Sequence, residues 1–128
     1  MEALICARPL VLLVDDDVRT ARLLARMLRE DGNDVDLAAD GAAAISRLTR
    51  DPIPDVLVTD MMMPFADGVA VTHYARSRRA DMPVFIVTGH PLVVARVTEA
   101  IHPAPIVVTK PIHYETFSAQ VRCALRSG

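Results

Sequence analysis

At 128 residues the chain has the length of one domain, and 52% hydrophobic with 23% charged residues describes a core-forming chain rather than a disordered one. A net charge of −2 and a pI near 6.0 exclude a general electrostatic affinity for nucleic acid or an anionic membrane. Cys6 and Cys123 are too few and too far apart for a disulfide framework or a metal knuckle, and read as thiols in a reducing compartment. The early apolar run Leu10 to Val14 is too short for a signal segment or a membrane span, so a cytoplasmic protein is expected.

Leu10-Val11-Leu12-Leu13-Val14 lacks alternation, as a strand buried on both faces of a parallel sheet does. Asp15, Asp16 and Asp17 end it and open a helix, where carboxylates suit the positive N-terminus. From Val18 to Glu30, Leu24, Met27 and Leu28 make an apolar stripe. Arg19, Arg22, Arg26 and Arg29 fall on a polar face at helical spacing. Asp31-Gly32-Asn33 stops this helix, with glycine as its C-cap. Residues 35–39 read as a second strand, and Asp40-Gly41 as the turn into a helix over 42–49.

Pro52 and Pro54 precede a third strand, Val56-Leu57-Val58, which runs into Asp60. Asp67-Gly68 opens a helix through Arg79, with Val71, Tyr74 and Ala75 inward. Val84-Phe85-Ile86-Val87 is a fourth strand ending at Thr88-Gly89, followed by a helix over 92–101. In that helix Val93, Val94 and Val97 leave no clean polar face, so it is either unusually buried or presents an apolar surface. Ile106-Val107-Val108 is a fifth strand running into Thr109-Lys110-Pro111. A last helix over 114–126 buries Phe117, Val121 and Leu125.

Strands alternating with helices at this spacing predict an α/β fold: a doubly wound, five-stranded parallel sheet with helices on both faces. One domain fills residues 1–128, its core about 9–126, with no output domain in view. In such a sheet the strand ends share one edge, where open α/β folds place their ligands. That edge collects Asp15, Asp16, Asp60, Thr88 and Lys110. Clustered carboxylates repel, and a hard divalent cation such as Mg²⁺ relieves the repulsion. A cation, a lysine and a hydroxyl around one carboxylate suit phosphoryl transfer, with that carboxylate as nucleophile.

In order and spacing, Val14-Asp15-Asp16, Asp60 with Met63-Pro64 and Asp67-Gly68, Val87-Thr88-Gly89 and Lys110-Pro111 resemble the receiver domain of bacterial two-component response regulators. The resemblance spans Leu10 to Leu125. It implies a flavodoxin-like strand order 2-1-3-4-5. It also implies Asp60 as phosphoacceptor from a histidine kinase or a histidine phosphotransfer protein. Asp16, Asp60 and the Met62 backbone carbonyl would bind Mg²⁺, with Asp15 acting through water. Thr88 and Lys110 would contact the phosphoryl group, and Lys110-Pro111 would be a cis peptide. A downstream protein or a second copy would dock through the 92–126 surface.

Three positions depart from the family pattern. Val107 stands where Tyr or Phe is usual, Gly89 where alanine is usual, and Met62 where polar residues that orient water are common. A haloacid-dehalogenase-like phosphatase is disfavoured, because no aspartate follows Lys110 and its nucleophile would end the first strand. A nucleotide-binding module lacks its glycine-rich loop. The remaining alternative is a non-phosphorylated pseudo-receiver acting as an interaction module. Its usual signature is loss of the acidic pair, the acceptor or the lysine, and all are present.

Overall fold

A computed structural model describes residues 8–127, so Cys6 lies outside the described residues, while Cys123 is exposed. Ten elements alternate along the chain: β1 (Leu10–Val14), α1 (Val18–Glu30), β2 (Asp34–Ala38), α2 (Gly41–Leu48), β3 (Val56–Asp60), α3 (Gly68–Arg78), β4 (Val84–Thr88), α4 (Pro91–Val97), β5 (Ile106–Thr109) and α5 (Tyr114–Ser127). The strands form one parallel sheet in the order β2-β1-β3-β4-β5. This is the order the resemblance implied.

Strand pleating divides the core into two layers, because successive side chains point to opposite faces. Val11 and Leu13 of β1, Val56 and Val58 of β3, and Phe85 and Val87 of β4 face α1 and α5, meeting Leu24, Leu28, Phe117 and Val121. Leu12, Val14, Leu57 and Ile86 face the opposite way, toward Ala44 and Leu48 of α2, Val71 and Ala75 of α3, and Val94 of α4. Every residue of β3 and β4 is buried, as expected for central strands covered on both faces. Full burial of each large side chain here contributes roughly 1.5–3 kcal/mol. Tyr74 and Leu125, expected inside, are only half-buried at the margins of these layers.

Local signals fix the helix starts. Asp17 is the N-cap of α1, accepting from the Arg19 and Thr20 amides, and Asp40 and Asp67 cap α2 and α3 likewise. Each such cap is worth about 1 kcal/mol. Gly32 has φ +101°, the left-handed conformation that ends α1 as its sequence suggested. Helix α4 is shorter than expected and stops at Val97. The Thr98 hydroxyl donates back to Val94 O at 2.8 Å, and Ile101 turns into the core from the following bend. Val94 O also accepts from the Thr98 amide at 3.0 Å, and one residue later the Glu99 amide turns to Arg96 O, which tightens the chain out of the helix. Of the two readings for this helix, the apolar surface is the observed one: Leu92, Val93 and Val97 are exposed and only Val94 is buried.

Candidate functional site

Four loops at the C-terminal edge of the sheet, those after β1, β3, β4 and β5, build the site. After β1 the chain turns through Asp15, whose carboxylate accepts from the Asp17 amide at 2.9 Å. At the end of β3, Asp60 is only 8% exposed. Parallel pairing fixes its height, since Asp60 lies beside Val87 and the Met61 amide continues the ladder to Val87 O. Beyond β5, the Lys110 amide donates to Thr88 O at 2.8 Å, which sets the lysine beside the strand that ends in Thr88. The Lys110-Pro111 peptide is cis, as implied, and so are Asp51-Pro52 and His102-Pro103.

These constraints bring Asp15, Asp16 and Asp60 together, with one carboxylate oxygen from each lying within 4.8 Å of the others. Lys110 Nζ lies 2.9 Å from Asp60 Oδ1, and the Met61 amide donates to the same oxygen at 3.0 Å. Both contacts to Asp60 arrive at Oδ1 and leave Oδ2 unengaged by them. Burial lifts the Asp15 carboxyl above its ordinary pKa; the Asp17 amide opposes this and the charge of Asp60 adds to it. Partial burial disfavours the Lys110 ammonium, yet the hydrogen bond and charge of Asp60, with Asp15 and Asp16, raise its pKa overall. Three carboxylates face one lysine, an imbalance that an added cation with oxygen preference would relieve. The donor set of this cluster therefore fits Mg²⁺.

Thr88 ends β4 at the same edge, 4% exposed, and its hydroxyl accepts from the His90 amide at 2.9 Å. Val107 is half-buried against the layer that holds Val94, so a branched side chain fills the place expected of a ring. Gly89 is exposed, and a Cβ built there meets nothing within 4 Å, which leaves that side of the site open. Met62, next in the loop after β3, turns its side chain outward with 72% exposure. From the cluster a groove of about 680 Å³ runs along α1 toward Tyr114, lined by Leu24, Met27 and Ile112. Tyr114 is held there by Asp31, which accepts from the Tyr114 and Ser118 hydroxyls.

Sequence reasoning missed the main-chain donors of the site. The Met61 and His90 amides hold Asp60 and Thr88, and backbone donors carry no residue signature. The strand-end position of each acceptor was the only signal that such amides would be near.

A family model for the response regulator receiver domain matches residues 11–122. Response regulator MprA of Mycobacterium leprae is 38% identical over 116 residues, covering 91% of this chain and 50% of that protein. The chain thus spans about half the length of the curated relatives it matches. Among solved structures, a response regulator receiver protein from Sinorhizobium medicae is similar with a TM-score of 0.85 at 26% identity, over 93% of this chain and 95% of that one. The receiver domain of a Francisella response regulator gives 0.80 at 27% identity, over 94% and 98%. Since the family match runs from the second residue of β1 into α5 and takes in all these strand ends, the chain belongs to the response regulator receiver domains, the phosphoacceptor modules of two-component signalling.

Proposed function

We propose that Asp60 accepts a phosphoryl group from the phosphohistidine of a histidine kinase or a histidine phosphotransfer protein, in a Mg²⁺-dependent step that the chain's own residues assist. The observation that carries this reading is the convergence of Asp15, Asp16 and Asp60 within 4.8 Å, with Lys110 2.9 Å from the Asp60 carboxylate. Lys110 and the Met61 amide orient Asp60 through Oδ1, so Oδ2 is the nucleophile. It attacks phosphorus as the bond to the donor imidazole nitrogen breaks; that nitrogen keeps the electron pair, and a proton carried on the ring's other nitrogen leaves the departing imidazole uncharged. The product is an aspartyl phosphate and a neutral histidine.

Asp16, Asp60 and the Met62 backbone carbonyl would hold Mg²⁺, with Asp15 acting through water. The bound cation supplies charge neutralisation on the transferring oxygens. Lys110 pairs with a second phosphoryl oxygen once Asp60 has given up its charge. Thr88 rotates its hydroxyl from the His90 amide to donate to a third. Gly89 leaves the donor's path open. The exposed apolar residues Leu92, Val93 and Val97 of α4, with Ile106 of β5, then form part of the surface through which the 92–126 region docks a downstream protein or a second copy. Among the described residues no helix is long and apolar enough to cross a membrane, and we place this exchange in the cytoplasm.

Incubating the chain with acetyl phosphate and Mg²⁺ tests the reading, with intact-mass measurement as the readout. One added phosphoryl group is expected, none after chelation of Mg²⁺ and none in Asp60→Asn. Undiminished labelling of Asp60→Asn would overturn the assignment. A pure interaction module would take up no phosphoryl group at all.

A further inference from the structure

The loop between β3 and α3 is built around a strained turn. Phe65 has φ +73° although it is not glycine, and the Ala66 amide donates to Pro64 O at 2.9 Å, closing a three-residue turn of the disfavoured hand. Such a conformation persists only where its surroundings over-determine it. One restraint lies inside the loop: the Gly68 amide donates to Met61 O at 2.9 Å, and a Cβ on Gly68 would lie 2.8 Å from Asp60 O. The other comes from outside. Gly41 is the first residue of α2, a helix that contributes no group to the acidic cluster. A Cβ there would lie 2.6 Å from Ala66 Cβ and 2.7 Å from Ala66 C, and closest of all to Ala66 O. The Gly41 amide also points at Pro64 O, 3.4 Å away. The atoms in the way are mostly backbone, so no side-chain rotation relieves the overlap.

We propose that Gly41 is a positioning residue, whose missing side chain seats the outer limb of the β3–α3 loop and so sets the Met62 carbonyl for Mg²⁺. This rests on the Mg²⁺ reading given above. Displacement at Ala66 has few places to go. Met61 and Gly68 are tied together, Met63 and Ala66 pack against the core, and Pro64 has a fixed φ. Met62 has the freedom to absorb it, and a small cation with strict octahedral preference is sensitive to shifts of one ligand.

Mg²⁺ titrations followed by backbone amide shifts test this on the wild-type chain, Gly41→Ala and Leu48→Ala. Leu48 is fully buried at the far end of the same helix, so its truncation loosens α2 while leaving the close approach of Gly41 to Ala66 in place. Gly41→Ala should weaken Mg²⁺ binding by about tenfold, as loss of support behind a metal ligand does, while phosphorylation by acetyl phosphate returns to the wild-type rate at saturating Mg²⁺. Leu48→Ala should bind Mg²⁺ as the wild type does. Unchanged affinity in Gly41→Ala, or equal weakening in Leu48→Ala, would overturn the proposal. Should Gly41→Ala fail to fold, the wild-type titration decides: the Gly41 amide must shift with Mg²⁺, and an unmoved amide overturns the proposal. A wild-type chain that binds no Mg²⁺ would remove the metal reading itself, and this proposal with it.

Discussion

At the edge of the sheet where the chain enters its strands, arginines close the loops. Arg8 donates to Asp34, Arg29 O and Asn33 O; Arg47 to Asp36, Arg50 O and Pro52 O; Arg76 to Met82 O and Pro103 O; and Arg79 to Asp55 O. At the opposite edge, where the chain leaves its strands, Asp15, Asp16 and Asp60 share Lys110. The first edge has its cations spent on carbonyls that loops would otherwise leave unpaired, which favours folding. The second keeps surplus negative charge in a partly buried cluster, which opposes folding but creates demand for a cation and a phosphoryl group. Stability and function are thus drawn from different ends of the same strands, and substitutions at the two ends should separate them.

The largest effect should come from the entry edge. Arg47 is buried and makes three hydrogen bonds, one of them 2.7 Å to the Asp36 carboxylate. Arg47→Ala should cost about 2–3 kcal/mol of unfolding free energy in urea titrations, less than a fully buried pair because Asp36 is half-exposed. Its rate of phosphorylation by acetyl phosphate should remain that of the wild type. Loss of phosphorylation in a folded Arg47→Ala protein would dissolve the separation between the edges.

At the exit edge, Met62 sharpens the comparison by altering chemistry without altering the fold. Hydrolysis of an aspartyl phosphate needs a water held in line with phosphorus, and the thioether of Met62 is a weak partner for one. Met62→Asn should shorten the phosphorylated lifetime by roughly tenfold, about 1.4 kcal/mol on the barrier, with the unfolding midpoint unchanged. A lifetime equal to or longer than that of the wild type would shift attention to His90, which caps α4 through its backbone without a side-chain bond.

The smallest effect carries the opposite sign to the first. Removing Asp16 relieves like-charge repulsion, so metal-free Asp16→Asn should be as stable as the wild type or more so, by at most about 1 kcal/mol. Its phosphorylation should require far more Mg²⁺. A clear loss of stability in this variant would mean that the acidic cluster supports the fold rather than opposing it.

The sequence exposes this division unevenly. Strand ends are legible because a run such as Val84 to Val87 breaks sharply at a polar residue, and parallel topology then gathers those breaks at one edge. Asp17, Asp40 and Asp67 are legible as caps for a similar local reason. The end of α4 is not. Ile101 continues the apolar spacing of Val94 and Val97, while the amides of Glu99 and Ile101 turn to the carbonyls of Arg96 and Thr98, a tightening that apolar spacing does not report. Strand β2 also starts and stops one residue earlier than 35–39, because its register is set by pairing Asp34 with Leu10. Arg47 reads as an ordinary helical arginine, and its role appears only when the loop carbonyls of Arg50 and Pro52 fold back over it. Likewise, Gly41 looks like a simple turn residue until Ala66 is brought against it.

The central claim is that the exit edge delivers a phosphoryl group to one carboxylate out of three. It is tested most directly by locating that group in the wild-type chain. After phosphorylation with acetyl phosphate and Mg²⁺, borohydride reduction converts an aspartyl phosphate to homoserine, which peptide sequencing by mass spectrometry places. The account predicts homoserine at Asp60, with Asp15 and Asp16 recovered as aspartate. Homoserine at Asp15 or Asp16, or a phosphoryl group recovered on a histidine instead, would contradict it.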